Sequence, residues 1–327
     1  MYSEGAVPDR CLYPPAPVTE APNQPAFLIC VEHGRLESEA ILLVESLRTW
    51  GGSCAQAPVY AFAPRPDFQP EPATVTRLRE LGCTFVDEPL VDRFADFPTF
   101  NKVPVCAWAE RELGHETFVF TDTDSVFLGE PAELAEGEWV AAMRPVDRRI
   151  AGSRGKGKGE PYWRKMYEAL GVENRPFVRT TVGHMKIRAY WNSGLIGARR
   201  SAGLFGEWER ALHKLHDLGF ADDRWPQFMD QISWAMVTTD AFDDVRILSH
   251  AYNYPLRHRP SLSGGAMDLD LTDIVHLHYR LWFHMPDSLG KVEPAFDPAS
   301  GPYRWLEERL PIEPEIEAEE EAEPESE

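Results

Sequence analysis

Residues 118–128 read FVFTDTDSVFL, and this stretch decides the fold. The apolar run Thr117–Thr121 has the length of a buried strand, and Asp122 and Asp124 follow it directly. In open α/β sheets, ligands bind beyond the carboxyl ends of the strands. Two carboxylates at such a place can hold a hard divalent cation, Mg²⁺ or Mn²⁺. The stretch therefore predicts a metal site, although an Asx-type turn whose carboxylates cap the next backbone amides accounts for the same residues.

Strand-like and helix-like segments alternate ahead of this acidic pair. Strands are predicted at Ala26–Val31, Pro58–Ala63, Cys83–Val86 and Thr117–Thr121, and helices at Glu37–Trp50, Pro72–Leu81 and Phe100–Leu113. Glycines stand directly after each predicted helix. Short strands that alternate with helices are typical of βαβ units, so the fold class is α/β with a mostly parallel central sheet.

The second half of the chain is less regular. Strands are predicted at Trp139–Met143, Val245–Leu248 and Asp273–His278, and helices at Ala202–Leu218 and Asp230–Val237. Apolar character also resumes at Tyr190–Ala198. The segment 144–183 is expected to be irregular, with a flexible Gly-rich part at 152–159. We predict a Pro-rich arm at 1–25, one domain at 26–310 and an acidic disordered tail at 311–327.

Charge is unevenly distributed along the 327 residues. Lys and Arg number 33 against 53 Asp and Glu, for a net charge of −20. The segment 311–327 holds nine Glu and no base, whereas 144–200 holds 14 bases and 4 acids. The overall acidity argues against a nucleic-acid partner. The basic segment predicts either a site for a compact anion or a solvated surface loop.

Cysteine usage and hydropathy indicate the compartment. The five cysteines are widely spaced and form no C-x-x-C motif, which argues against a disulfide framework and a zinc site. No apolar run reaches the ~18 residues of a membrane span. We therefore expect a protein of the reducing cytoplasm without an integral membrane segment.

Three enzyme classes place an acidic pair after a strand. The D-T-D-S string resembles B-family DNA polymerases, but this chain is too short and too acidic for one. Haloacid-dehalogenase phosphatases carry D-x-D near the N-terminus, usually followed by Gly-Thr, whereas Asp122 lies far into the chain behind three βα units. In GT-A glycosyltransferases the nucleotide-binding βαβ half comes first and D-x-D ends it, and this order matches the chain.

Further motifs extend the resemblance to the glycogenin-like, family 8 retaining glycosyltransferases. In order they are FNK at 100–102, the D-x-D stretch, YWNSGLIGA at 190–198, WPQFMDQISW at 225–234 and DIVHLHY at 273–279. Several motifs in the right order are more specific than any one of them. The resemblance implies a single GT-A domain, with a nucleotide-binding half at 26–131 and an acceptor and sugar half at 132–310 that carries a basic loop at 144–188.

The resemblance also implies a metal centre with Mn²⁺ or Mg²⁺. Asp122, Asp124 and His276 would be the protein ligands, and Asp122 would also face the ribose. The cation would offset the charge of the diphosphate leaving group. His278 lies on the same strand face and is the rival of His276, and a hydrogen-bonded core histidine is the alternative for either.

Basic residues are expected around the donor phosphates. Arg280 stands where the family has a phosphate-binding Lys, because this chain reads HLHYRLW at 276–282 in place of the family's terminal motif. Lys102 at a helix start and Arg144 after a strand are further donor-binding candidates. Solvated surface positions are the alternative for all three.

Polar residues of the later motifs are expected at the donor sugar. Asn192 and Asp230 would hydrogen-bond its hydroxyls, and Gln231 would lie near the anomeric carbon. Retention of configuration is favoured, with Asp230 as the candidate base if the reaction inverts.

The sequence therefore predicts a metal-dependent glycosyltransferase that moves a sugar from a nucleotide-sugar donor, UDP-sugar favoured, to an unknown glycan or small-molecule acceptor. The alternatives are a nucleotidyltransferase or phosphatase and a glycan-binding protein without turnover. The loop after the first strand, residues 31–35, matches a nucleotidyltransferase poorly.

Overall fold

The structure is a computed structural model that describes residues 24–91, 93–94, 97–149, 151–220 and 225–314. Nearly all of the predicted N-terminal arm and most of the predicted acidic tail lie outside the described residues. The segment 311–314, which the sequence assigned to the tail, packs on the domain. Ile312 is buried, and its N–H donates to the carbonyl of Phe283 at 2.9 Å.

The described residues form twelve strands and eight α-helices. The strands are β1 (Ala26–Cys30), β2 (Val59–Phe62), β3 (Cys83–Val86), β4 (Thr117–Thr121), β5 (Ser125–Phe127), β6 (Ala141–Met143), β7 (Phe177–Arg179), β8 (Lys186–Arg188), β9 (Leu195–Arg199), β10 (Val245–Ile247), β11 (Tyr254–Pro255) and β12 (His276–His278). The helices are α1 (Arg35–Trp50), α2 (Pro72–Glu80), α3 (Lys102–Glu112), α4 (Ala132–Ala135), α5 (Glu160–Leu170), α6 (Leu204–Asp217), α7 (Met229–Thr239) and α8 (Gly301–Glu307).

The central sheet has seven strands in the order β10-β6-β9-β4-β1-β2-β3. All neighbours pair in parallel except β9, which is antiparallel to both β4 and β6. This mixed, mostly parallel sheet confirms the predicted fold class. A smaller sheet has the order β11-β12-β5, and β7 pairs with β8 in a separate hairpin.

Side chains of the central strands alternate between two apolar layers. In β1, Ala26 and Leu28 pack into the core beneath α3, α6 and α7, whereas Phe27 and Ile29 pack into the core beneath α1. Alternation with burial on both faces is what a strand covered by helices on each side requires. The sheet is therefore the rigid middle layer. No helix in the described part of the chain has the length and apolar character needed to cross a membrane.

The segment 144–183 is more regular than the sequence suggested. It contains α5 and the first strand of the β7–β8 hairpin. Helix α5 has its apolar side chains at helical spacing, among them Trp163 and Tyr167, and ends at Gly171 with φ 73°. Strands β5, β7 and β8 have only three residues each, which is too short for a strand pattern to be recognised in the sequence.

Parallel pairing brings several chain segments to one edge of the sheet. Strands β1, β4 and β6 run in the same direction, so the residues after them share the carboxyl edge. Strand β9 runs the other way, which places the segment before it, Asn192–Gly194, at that same edge. The topology therefore collects Glu32, Asp122 and the Asn-Ser-Gly motif around one cleft.

Candidate active site

An acidic pair and one histidine converge at the carboxyl edge of the sheet. Among the described residues, Asp122, Asp124 and His278 are a group whose ligand atoms all lie within 4.8 Å of one another. Asp124 Oδ1 lies 3.1 Å from Nε2 of His278. The sequence prediction named His276 as the third ligand and His278 as its rival, and the structure places His278, not His276, beside the two carboxylates.

The register of β12 explains this difference. His278 pairs with Ser125, the residue that directly follows Asp124, whereas His276 pairs with Phe127, two residues deeper in the sheet. There His276 is fully buried, and its Nε2 lies 3.0 Å from the hydroxyls of Thr121 and Ser125. Burial lowers the pKa of His276 to about 3, and the neighbouring His278 adds to that effect. His276 is thus a neutral core residue behind the site.

Two neighbours orient the imidazole of His278. Its Nδ1 lies 3.0 Å from the side-chain oxygen of Asn253, so an Nδ1–H donated there leaves Nε2 to face Asp124. Gly194 makes room for the ring, because a Cβ at this position would lie 2.6 Å from Cε1 of His278. The glycine of the Asn-Ser-Gly motif is therefore required by the close approach of the ring.

Asp124 and His278 shift each other's pKa in opposite directions. Burial alone would raise the pKa of Asp124, but the imidazole of His278 outweighs it and the pKa lies far below its usual range. Burial alone would lower the pKa of His278, but the carboxylate of Asp124 outweighs it and the pKa is raised. Asp124 is therefore an ionised oxygen donor.

Lys102 connects the acidic pair to Asp230. Its Nζ donates to Asp122 Oδ1 at 2.7 Å and to the hydroxyl of Ser193 at 3.2 Å, and it lies 4.0 Å from Asp230 Oδ2. Ser193 in turn donates to Asp230 Oδ2 at 2.8 Å. Burial alone would lower the pKa of Lys102, but the two carboxylates raise it, so the ammonium stays charged.

Asp230 and Gln231 lie at the start of α7, beside this network. Asp230 is 1% exposed, and its Oδ1 has no hydrogen-bond partner among the described residues. Burial raises the pKa of Asp230 to about 6, and Lys102 and Ser193 limit the shift. Gln231 accepts from the hydroxyl of Tyr190 at 3.0 Å. Asp230 thus offers a free buried acceptor, an uncommon and costly arrangement.

Asn192 and Arg144 are engaged inside the protein. Asn192 Oδ1 accepts from the backbone N–H groups of Val146 and Asp147 at 3.0 and 3.1 Å, and Nδ2 donates to the Asp147 carboxylate at 2.9 Å. Arg144 Nε donates to the hydroxyl of Thr181 at 2.7 Å, and burial lowers the pKa of Arg144 to about 10. These side chains hold the segment after β6 in place, which differs from the donor contacts expected from the sequence.

Arg280 follows β12 directly. Its backbone N–H donates to the carbonyl of Asp124 at 3.2 Å, and its φ of 54° lies in the left-handed region. The chain therefore turns sharply against the acidic pair, with a half-buried arginine at the turn.

A second polar cluster, which sequence reasoning missed, lines the cleft beside β1. Arg65 donates from Nε and Nη2 to the two oxygens of Glu32 at 2.9 and 2.5 Å, and Asn101 donates to Glu32 at 2.9 Å. The guanidinium carbon of Arg65 lies 3.8 Å from the ring centroid of Phe68, which is 44% exposed. Glu32 follows an apolar strand, as Asp122 does, and that signal could have found it.

These two clusters share one cleft of about 450 Å³. Its walls include Glu32 and Arg65 of the one cluster and Lys102, Asp122 and Asp124 of the other. The volume and the mixture of an exposed aromatic ring with convergent polar groups suit a ligand of nucleotide size.

Glu39 supports the acidic pair from behind. Its fully buried carboxylate accepts from Thr123, the residue between the two aspartates, at 2.9 Å and pairs with His284 at 3.0 Å. Arg35, which lines the cleft, also donates to Glu39. Burial raises the pKa of Glu39. Helix α1 therefore anchors the middle of the acidic turn.

The residues present fit a divalent cation. Two carboxylates and one imidazole with an Nε2 aimed at Asp124 are a donor set that Mn²⁺ and Mg²⁺ accept, with positions left for ligand oxygens. The side-chain amide of Asn253 behind His278 is the outer partner that metal-binding histidines commonly have. We therefore treat this group as the candidate metal centre.

A family comparison covers most of the described domain. A family model described as the Rhodobacterales glycosyltransferase domain matches residues 27–241, more than half of the chain. Asp122, Asp124 and Asp230 lie within the match, and His278 lies beyond it. No curated protein matches the sequence.

Solved structures with a similar fold were also found. The apo structure of the bifunctional glycosyltransferase WbbM aligns with a TM-score of 0.48 at 12% identity, over 80% of this chain and 47% of that chain. The apo form of mouse xyloside xylosyltransferase 1 gives 0.45 at 11% identity, over 78% of this chain and 97% of that chain. The apo form of GlyE from Streptococcus pneumoniae TIGR4 gives 0.43 at 14% identity, over 79% and 55%. The chain spans about half the length of WbbM and GlyE, and no property of it follows from these weak similarities.

Proposed function

Because the chain belongs to the Rhodobacterales glycosyltransferase domain family, we propose that it moves a sugar from a nucleotide-sugar donor to an acceptor with a divalent cation held by Asp122, Asp124 and His278. Membership of this family confirms the glycosyltransferase class that the sequence predicted. The proposal also includes membership of family 8, a UDP-sugar as the donor and Mn²⁺ or Mg²⁺ as the cation. It further includes retention of configuration and a location in the cytoplasm.

One observation carries the proposal. Asp122 and Asp124 line the same cleft as Arg65 and Phe68, and His278 converges with the two carboxylates. A nucleoside diphosphate has a planar aromatic base at one end and concentrated negative charge at the other. The cleft offers an exposed ring near one end and a cation site with a lysine near the other, so the donor can lie along it.

The divalent cation would supply Lewis acidity that offsets negative charge on the departing diphosphate. The protein's own side chains would fix the geometry. Asn253 and Gly194 hold His278 in position, Glu39 holds Thr123, and Lys102 brings a positive charge to the same end of the cleft. Because these contacts already exist in the fold, the side chains need to reorganise little when negative charge develops on the diphosphate.

Asp230 and Ser193 would receive the donor sugar. The free Oδ1 of Asp230 is an acceptor for a sugar hydroxyl, and such a contact would satisfy a buried oxygen that has no partner among the described residues. Gln231 would lie near the anomeric carbon. We favour retention, in which no strong base is needed, and Asp230 would be the base if the product anomer shows inversion.

A thermal-shift screen tests the proposal. UDP, GDP and ADP are each added with and without Mn²⁺ to the wild type, to Asp124→Asn and to Asp243→Asn, a matched change of an exposed carboxylate. Ligands that bind only the folded state raise the melting temperature by mass action. We expect stabilisation by UDP with Mn²⁺ in the wild type and Asp243→Asn, and its loss in Asp124→Asn. A loss of several kcal/mol of electrostatic stabilisation would lower sugar transfer by about a hundredfold or more.

Equal Mn²⁺-dependent stabilisation of Asp124→Asn and the wild type would overturn the metal assignment. Stabilisation by GDP or ADP and not by UDP would move the donor to another base while leaving the metal centre in place. The configuration of the product anomer, measured by NMR, tests retention separately.

A further inference from the structure

The β7–β8 hairpin presents one strongly basic face. Its pairing places Phe177 opposite Arg188 and Arg179 opposite Lys186, while Val178 and Ile187 point to the buried side. Three bases and one aromatic ring therefore share the outer face. The Lys186 ammonium lies 4.8 Å and the Arg188 guanidinium 4.5 Å from the centroid of the Phe177 ring.

This arrangement is unfavourable for the hairpin alone. Arg179 and Lys186 are both exposed and stand directly opposite each other across the two strands. Like charges at directly opposed positions destabilise a strand pair. Glu160 neutralises Arg188 at 2.7 Å, but that pair lies at the other end of the register. An anionic ligand over Arg179 and Lys186 would relieve the repulsion.

The Gly- and Lys-rich loop 154–158 extends the same basic face. A Cβ at Gly155 would lie 2.7 Å from Cζ of Phe177, so this part of the loop packs directly on the hairpin. Arg154, Lys156 and Lys158 are exposed beside it. The protein as a whole carries −20, so a concentrated basic surface is a local feature and not a consequence of composition.

Two contacts connect the basic face with segments that carry or lead to residues of the candidate site. The loop ends at Gly159, where a Cβ would lie 2.9 Å from Cη2 of Trp225, and Trp225 leads into the helix that begins with Met229 and Asp230. Arg144 fixes the other end, because it donates to Thr181, two residues after β7. The nucleotide end of the cleft, at Arg65, is built from other elements.

We propose that the β7–β8 hairpin and the loop 154–158 bind the acceptor, and that the acceptor is a saccharide carrying carboxylate or phosphate groups. The proposal rests on the proposed function, since it assigns the second substrate of that site. Arginine and lysine are suited to carboxylate and phosphate oxygens, and the partly exposed ring of Phe177 adds apolar surface for a sugar ring.

Binding of two anionic probes tests the proposal. Oligogalacturonate carries carboxylates, a phosphorylated mannan oligosaccharide carries phosphates, and a malto-oligosaccharide is the neutral control. The variant is Arg179→Gln with Lys186→Gln, and the matched control is Arg210→Gln with Lys214→Gln, two exposed bases on α6. We expect salt-sensitive binding of at least one anionic probe to the wild type and the α6 variant. We expect the hairpin variant to bind it about tenfold more weakly, and the neutral probe not to bind.

Equal affinity of the hairpin variant and the wild type, or no binding of either anionic probe to the wild type, would overturn the proposal. Vesicles of phosphatidylglycerol and phosphatidylcholine are a further arm, and tighter hairpin-dependent binding to phosphatidylglycerol vesicles than to both saccharides would also overturn it, in favour of a membrane surface. UDP with Mn²⁺ is tested by thermal shift on the same samples. Its failure in all variants counts against the proposed function, whereas its persistence beside a failed saccharide test counts only against the acceptor assignment.

Discussion

Two carboxylate clusters stand at the same edge of one sheet, and they are built differently. Glu32, after β1, accepts three hydrogen bonds from Arg65 and Asn101. Asp122 and Asp124, after β4, are linked through Lys102 to a third carboxylate, Asp230, and His278 lies against Asp124. The first cluster is closed by its own arginine, whereas in the second Oδ1 of Asp230 has no hydrogen-bond partner among the described residues.

The difference separates structural charge from functional charge. A buried carboxylate with a bidentate arginine has its partners within the fold. Two carboxylates and an imidazole whose ligand atoms lie within 4.8 Å of one another are a donor set that a divalent cation would bind. The free Oδ1 of Asp230 lies in the second cluster. We therefore expect changes in the first cluster to alter folding and changes in the second to alter metal and ligand binding.

The largest expected effect is on folding, from Arg65→Met. It would leave Glu32 buried without its ion-pair partner, and breaking a buried pair in this way costs about 3–5 kcal/mol of unfolding free energy. Urea denaturation measures the loss. The matched control is Arg77→Met, which removes an exposed arginine that also pairs with glutamates and should cost much less, because solvent screens such pairs. If the two variants proved equally stable, the closed cluster would not be a structural one.

The second prediction separates the two histidines of β12. In His278→Gln the affinity for Mn²⁺ should fall by about a hundredfold, because the change removes a donor nitrogen from the candidate metal centre. In His276→Gln the Mn²⁺ affinity should change little while the melting temperature falls, because His276 is a buried partner of Thr121 and Ser125. Calorimetric titration with Mn²⁺ measures the two affinities, and thermal denaturation measures the melting temperature. The opposite pattern would return the ligand role to His276.

These histidines also show which features of the site could be predicted from the sequence and which could not. The D-x-D pair and the alternating strands were readable, because a carboxylate after an apolar strand is a local pattern. The choice between His276 and His278 depended on the register of β12 against β5, which alternation does not encode since both residues face the same way. The interior bonds of Asn192 and Arg144 were equally unreadable, because Val146 and Thr181 reach them only through folding.

Other features were readable but were not recognised. Glu32 follows β1 as Asp122 follows β4, and the apolar spacing of α5 was present within a segment that its glycines and lysines made look irregular. The ion pair between Glu32 and Arg65 joins residues 33 positions apart. Local patterns therefore identified the positions at the sheet edge, while the partners that decide each carboxylate's role came from the tertiary structure.

The smallest expected effect concerns the stability of the second cluster itself. Burial raises the pKa of Asp230 to about 6, so the folded protein holds this proton more tightly than the unfolded chain, where the group titrates near 3.8. The free energy of unfolding of the wild type therefore falls as the pH rises from about 4 to about 6, because Asp230 loses its proton in this range. Above about pH 6 it stays lower by the same amount. Asp230→Asn removes the ionisable group. Its melting temperature relative to the wild type should rise by a few degrees between pH 4.5 and pH 7.5, on the order of 1–2 kcal/mol. Asp243→Asn, at an exposed carboxylate, should show no such trend. A difference between Asp230→Asn and the wild type that does not vary with pH would mean that Asp230 is compensated as fully as Glu32, and the contrast between the two clusters would then rest on the metal centre alone.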